Sequence, residues 1–246
     1  NYIYMKFINL KSLKSLFLKN ILEFIVIVLG ITFSFYLDDT RKSEDLKTLS
    51  TDLKQNLLDE IYEIEEYMIE REEVFMGDGT LLVALNDKSV TYDSLYSLEK
   101  LPVMYGVALF NYRGFKPPVA FYNSLINDGK IRYLESSLLK VELDKMHNTN
   151  YSYIDTNVGD ETVAQRKVMD YFQTNYPELF IQSNDNNENK DYSISIKRAI
   201  DNDITLRAIL YQKILAIQQK VVGFYRYKTS LEIIKNILIE DLKDKS

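Results

Sequence analysis

Beyond Asp39 the apolar positions Leu46, Leu49, Leu53, Leu57, Ile61, Ile64 and Met68 recur at spacings of three and four. That spacing puts them on one face of a helix. The period, near eleven residues in three turns, predicts an almost straight rod instead of a left-handed coil. Leu58, Tyr62 and Ile69 widen the stripe, as expected for packing in a bundle. Glu60, Glu63, Glu66 and Glu70 fill the other face, and Gly77-Asp78-Gly79 reads as the stop.

Further helices follow at lower contrast. Thr91 or Asp93 can cap a short one through Glu99, stopped by Pro102. Pro117 to Asp128 reads as a helix entered by proline and closed by Gly129. Another starts near Glu135-Ser136, and one from about Asp160 ends near Pro177. The polar run from Gln182 to Asp191 predicts a mobile loop. Asp201-Asn202-Asp203 caps a final long helix, apolar at Ile204, Leu206, Ile209, Leu210, Ile214, Ile217 and Val221. It runs toward Leu242 with a weak point at Gly223. Only Met104 to Phe115 reads as non-helical, so the expected fold class is all-α: an N-terminal transmembrane helix continuing into a long helix, then a helical bundle.

The transmembrane expectation rests on the stretch before that rod. Phe24 to Leu37 is fourteen residues without a formal charge, about 21 Å of helix against a hydrocarbon core of roughly 30 Å. Extending back to Leu16 gives twenty-two residues, about 33 Å, at the cost of including Lys19 and Glu23. These two lie one turn apart, can pair, and can reach toward headgroups. A cleaved signal peptide fits less well, because the small residues around Thr32-Phe33-Ser34 are followed by two bulky aromatics. A buried helix of a water-soluble core would keep a polar stripe, whereas Ile25 to Leu29 is apolar in every direction. The expected organisation is a cytoplasmic or interfacial segment 1–15, a transmembrane helix 16–37, and a body 38–246.

Charge orients it. Four lysines against Glu23 leave residues 1–37 at +3, and the whole chain is −6, so the remainder is −9. The positive-inside rule places the N-terminus in the cytoplasm and the body outside it, which in a double-membrane bacterium means an inner-membrane anchor with a periplasmic body. An acidic body is a poor partner for nucleic acid, which needs clustered Lys and Arg. Membrane lipid and protein partners, either a membrane complex or a homo-oligomer, are the expected company.

Chemistry is sparse. With no cysteine and a single histidine, His147, thiolate metal sites and most triad chemistry drop out. No phosphate-binding glycine loop or metalloprotease motif occurs. No cofactor, metal or catalytic residue is expected, and His147 reads as a core or boundary side chain. Two groups of residues stand as candidates. Gly30 and Ser34 form a small-xxx-small pair with Glu23 and Ile27 along the same side, a surface on which two membrane helices can meet. The segment 103–122 sets Tyr105, Phe110, Tyr112 and Phe115 around Arg113 and Lys116, either a pocket for a ligand or partner, or a loop folded over the bundle end.

The order EFIVIVLGITFSFYLDDTRK, a long charged helix, then PPVAFYNSLINDGKIRYLESSLLKVELDKM resembles an uncharacterised family of single-pass inner-membrane proteins of Gram-negative bacteria. Glu23, Gly30-Ile31, and Tyr122 through Leu125 to Gly129-Lys130-Ile131 fall on positions of that family's pattern. The likeness covers the first half well and the last helix loosely. It departs at Leu37-Asp38-Asp39-Thr40, where the family has an Asn-Asn-Trp run. The resemblance implies a membrane-anchored helical body and assigns no activity.

The functional expectation is a non-enzymatic, membrane-anchored periplasmic protein that binds or positions protein partners as an accessory or structural subunit. Two alternatives stay open: a homo-oligomeric channel or transport subunit using the transmembrane helix, and a periplasmic sensor or enzyme with an aromatic pocket.

Overall fold

Periodic apolar stripes interrupted by few prolines leave the backbone one economical way to satisfy its hydrogen bonds, and helices result. The computed structural model describes residues 10–96, 105–183 and 190–243, with side chains in the first stretch from Phe24 onward. Among the described residues it is all-α, without strands. The helices are α1 (Leu10–Asn86), α2 (Tyr92–Tyr96), α3 (Tyr105–Phe110), α4 (Ala120–Asn127), α5 (Ser137–Asp144), α6 (Tyr151–Asn175), α7 (Pro177–Gln182), α8 (Lys190–Asn202) and α9 (Ile204–Lys243). The chain divides into two compact units, Asn1–Asp52 and Leu53–Ser246.

In the first unit, every large apolar side chain between Phe24 and Leu37 is exposed, Phe35 to 71%. The hydroxyls of Thr32 and Ser34 donate back to the carbonyls of Val28 and Gly30 at 2.8 and 2.9 Å. Among the described residues no helix is long and apolar enough to cross a membrane. Part of the expected span 16–37, including the side chain of Glu23, lies outside the described side chains.

In the second unit, α1 buries Leu53, Leu57, Ile61, Ile64 and Met68, as the spacing predicts. Tyr62 and Ile69 do not join that stripe; both are exposed. Glu60 is buried instead of solvated, and its carboxylate accepts the N–H groups of Phe121 and Tyr122. It thereby caps α4 from a distant helix, which explains why α4 starts at Ala120 and not at Pro117.

Gly77-Asp78-Gly79 does not stop α1, which continues to Asn86. Each glycine costs roughly 1 kcal/mol of helix propensity. Burial of Leu81, Leu82 and Leu85 one turn later outweighs that, at about 1.5–3 kcal/mol per side chain. Residues 105–110 are helical, so the irregular stretch shrinks to 111–119.

The two helices expected near Ser136 and Asp160 are one run. A π-turn, Lys145–Asn150, joins α5 directly to α6. Asn150 donates there to the Arg226 carbonyl at 3.2 Å and to Ser230 Oγ at 3.1 Å, while Ser230 donates to Glu142. Satisfying this buried polar set offsets the poorer geometry of the wide turn. The polar loop expected over 182–191 lies partly on residues 184–189, outside the described residues, and α8 begins at Lys190. Asp203 starts α9 by accepting the N–H groups of Thr205 and Leu206, and its second oxygen accepts from Tyr171 and Tyr176.

Gly223 is no weak point. A Cβ there would lie 2.6 Å from Tyr153 Cδ1 and 2.9 Å from Ile154 Cγ1. The helix–helix approach of α6 and α9 requires glycine at this position. Gly223→Ala gains about 1 kcal/mol of helix propensity but overpacks by about 1–3 kcal/mol. Net destabilisation is expected, read as a lower urea midpoint.

Candidate functional site

The segment 103–122, described from residue 105, is where sequence placed a ligand surface, and the structure distributes its side chains. Phe110 packs edge-on against Phe172 and Phe180 at 5.1 and 5.3 Å. Phe115 is buried among Tyr67, Tyr151, Phe224 and Tyr227, with ring centroids 5.1–6.2 Å apart. Tyr112 and Lys116 are exposed, and the Lys116 N–H donates to the Tyr67 hydroxyl at 2.6 Å. The side chain of Tyr105 lies outside the described residues. Phe110 and Phe115 thus serve two separate packing clusters.

Arg113 does join a charged centre. Its Nε donates to Asp78 Oδ2 at 3.0 Å. Nearby, Lys220 pairs with Glu161, both almost fully buried, and lies 4.1 Å from the centroid of the Phe75 ring. Lys213, completely buried, donates to the carbonyls of Ala108, Leu109 and Asn111 at 2.5, 3.0 and 2.7 Å. These are the terminal carbonyls of α3 and the loop after it, which have no helical partners of their own. Three cations therefore share two carboxylates in the interior.

Burial pulls the Lys213 ammonium down to about 8, opposed by Glu161 and Asp78. Burial also lowers Lys220, against the pull of Glu161. A lowered lysine can mark a nucleophile, but the ammonium of Lys213 has three carbonyl acceptors and no solvent access. The cluster acts as a clamp that fastens segment 108–113 to α9. Sequence reasoning missed Asp78, Glu161, Lys213 and Lys220. The available signal was two lysines seven residues apart, among the apolar positions Leu210, Ile214 and Ile217 of one stripe.

His147 sits in the π-turn, stacked on Tyr122 with centroids 3.8 Å apart and planes 17° apart. Its Nε2 is buried without a partner. Burial lowers its pKa from 6.5 to about 4. The unfolded chain therefore binds the extra proton first as pH falls. Stability contributed by neutral His147 is complete above pH 6.5 and is lost between 6.5 and 4, on the order of 3 kcal/mol in all. Urea titrations at pH 7 and pH 4.5 are expected to show this loss, and His147→Phe to reduce it.

On the first unit, Gly30 and Ser34 share a groove with Ile27, Ile31, Phe35 and Asp38. A Cβ on Gly30 would meet nothing within 4 Å.

No protein-family model matches the chain, and no curated protein or solved structure shows significant similarity to it. Among the described residues no group of three or more His, Cys, Asp or Glu is placed to hold a metal ion.

Proposed function

We propose that this is a single-pass inner-membrane protein whose helical periplasmic body positions protein partners and catalyses no reaction. One observation carries the reading: eleven large apolar side chains between Phe24 and Leu37 stand exposed on a single helix. Covering a large apolar side chain is worth about 1.5–3 kcal/mol. Even half of that for each residue rivals the ~5–15 kcal/mol stability of a whole domain. The hydroxyls within the segment bond to their own helix, the arrangement lipid demands of polar groups. Residues 16–23 supply the missing length, and the lysines before the span supply the orientation.

Alkaline washing of membranes is expected to leave the full chain in the pellet, with detergent required to release it. Release into the wash would overturn the anchor.

The open groove over Gly30 supports a second reading, a homo-oligomer with Glu23, Ile27, Gly30 and Ser34 at the helix contact. Gly30→Ile is then expected to lower the particle mass in mild detergent. An unchanged mass sinks the contact.

A further inference from the structure

The side that α6 and α9 turn away from the core carries one spacing twice. On α6, Val163 is 54% exposed, with Asp160 three residues before it, Lys167 four after it and buried Ala164 beside it. On α9, Leu215 is 40% exposed, with Gln212 three before it, Gln219 four after it and buried Ala216 beside it. Offsets of three and four keep each set on one side of its helix. The two helices run antiparallel: Lys167 donates to Gln212 at 3.1 Å, and Tyr153 donates to Gln219 at 2.7 Å. Both sets line one open groove.

Charge gives this groove a direction. Asp160 and Lys167 are exposed, and neither forms an ion pair among the described residues. Lys167 reaches only a neutral amide oxygen. About 10 Å of helical rise keeps the two from pairing with each other. Exposed Arg166 adds to the positive half.

A helix that reads acidic, apolar, basic along its length complements itself when reversed. Laid antiparallel across a two-fold axis at the level of Val163, Asp160 of one copy meets Lys167 of the other, and symmetry repeats the contact. Val163 then faces the small Ala164 of the second copy, and Leu215 faces Ala216. Gln212 faces Gln219, whose amides can each donate and accept. Asp170, one turn beyond Lys167, faces the neutral Thr156 and Asn157. In a parallel arrangement Asp160 meets Asp160 and Lys167 meets Lys167. A lipid surface of either charge sign suits only half of the groove.

We infer that the α6–α9 face docks a second copy of the chain, antiparallel and two-fold symmetric about Val163 and Leu215. This contact lies wholly within the body and is separate from the helix contact over Gly30.

The chain has no cysteine, so one introduced thiol reports position cleanly. In the full chain in mild detergent, a short bis-maleimide is expected to join Val163→Cys to a second copy. Thr174→Cys, exposed on the same helix but about 30 Å from its symmetry mate, is expected to stay single. In the Val163→Cys background, Asp160→Lys or Lys167→Asp sets like charges opposite each other twice. Each is expected to raise the dimer dissociation constant at least about tenfold, read from crosslinking yield and light-scattering mass on dilution. Both substitutions in one chain exchange the signs and are expected to restore the dimer. Mixing the two single variants is expected to restore it as well, because the mixed dimer regains two opposite-charge pairs. All the substituted positions are exposed, and circular dichroism checks that helicity is unchanged.

No crosslinking at Val163→Cys, or equal crosslinking at Thr174→Cys, would overturn the proposal. So would a double variant no better than either single one, the result expected if a different protein fills the groove. Crosslinking at Val163→Cys is expected to survive Gly30→Ile, and its loss there would assign the pairing to the N-terminal helix instead.

Discussion

Glu161→Gln is expected to lower the unfolding free energy of the body by about 3–5 kcal/mol, the usual cost of leaving one partner of a buried ion pair alone. Glu161 and Lys220 are each only 1% exposed as side chains, so water cannot take over the lost interaction. Lys213 and Arg113 add positive charge to the same centre, which leaves Asp78 as the remaining carboxylate among the groups acting on Lys220. The deficit has a pH signature. Without Glu161 the folded-state pKa of Lys220 falls further below its unfolded value, so the unfolded chain holds the extra proton over a wider range. The difference between variant and parent is therefore largest near neutral pH and shrinks as pH rises toward 10. Replacing both partners by methionine removes the desolvation cost along with the attraction, and most of the loss is expected to return. Urea unfolding followed by circular dichroism at pH 7 and 9.5 reads all three variants. A Glu161→Gln protein as stable as the parent would show that the pair contributes nothing to holding α6 against α9.

Phe115→Ala is the second large effect, about 3–5 kcal/mol. The ring is 2% exposed and meets four other aromatic rings from α1, α6 and α9. Its removal leaves a cavity that those rings cannot collapse to fill without leaving their own contacts. Tyr112→Ala, three residues away in sequence but exposed, is expected to stay within about 0.5 kcal/mol. The pair of substitutions separates a packing role for this segment from a ligand-binding one: a pocket would make Tyr112 and Phe115 matter for binding and neither matter much for stability. Thermal unfolding midpoints of the two variants decide it.

The long-range apolar rhythm was legible in the sequence because it reports directly on which side of a helix faces away from water. Leu53, Leu57, Ile61, Ile64 and Met68 on α1 and Leu206, Leu210, Ile214 and Ile217 on α9 are buried as their spacing required, whereas Leu46 and Ile204 at the ends of the two stripes are exposed and Leu49, Ile209 and Val221 only half-buried. Caps written in neighbouring residues were legible too: Asp203 opens α9 and Gly129, at φ 64°, closes the region after α4. Breaks were harder. Gly77-Gly79 and Gly223 carry the composition of stops, yet both lie inside helices, because propensity of about 1 kcal/mol yields to tertiary burial. At Gly223 the glycine is demanded by Tyr153 and Ile154 on another helix, a requirement with no local trace.

The charged centre shows the same division. Arg113 drew attention through its aromatic neighbours, but its partner is Asp78, thirty-five residues earlier. Lys213 serves carbonyls more than a hundred residues before it. Distances of that kind are invisible to spacing rules, which see only residues within a few turns of one another.

By itself, the sequence determined that this chain is helical, that its body is acidic, and that residues 24–37 are apolar and without formal charge, since each depends on composition or on local period. Tertiary structure alone decided where α1 ends, which glutamate is buried and which aromatics are core. Those outcomes depend on what arrives from elsewhere in the chain to cover a face, and burial, unlike periodicity, is a property of pairs.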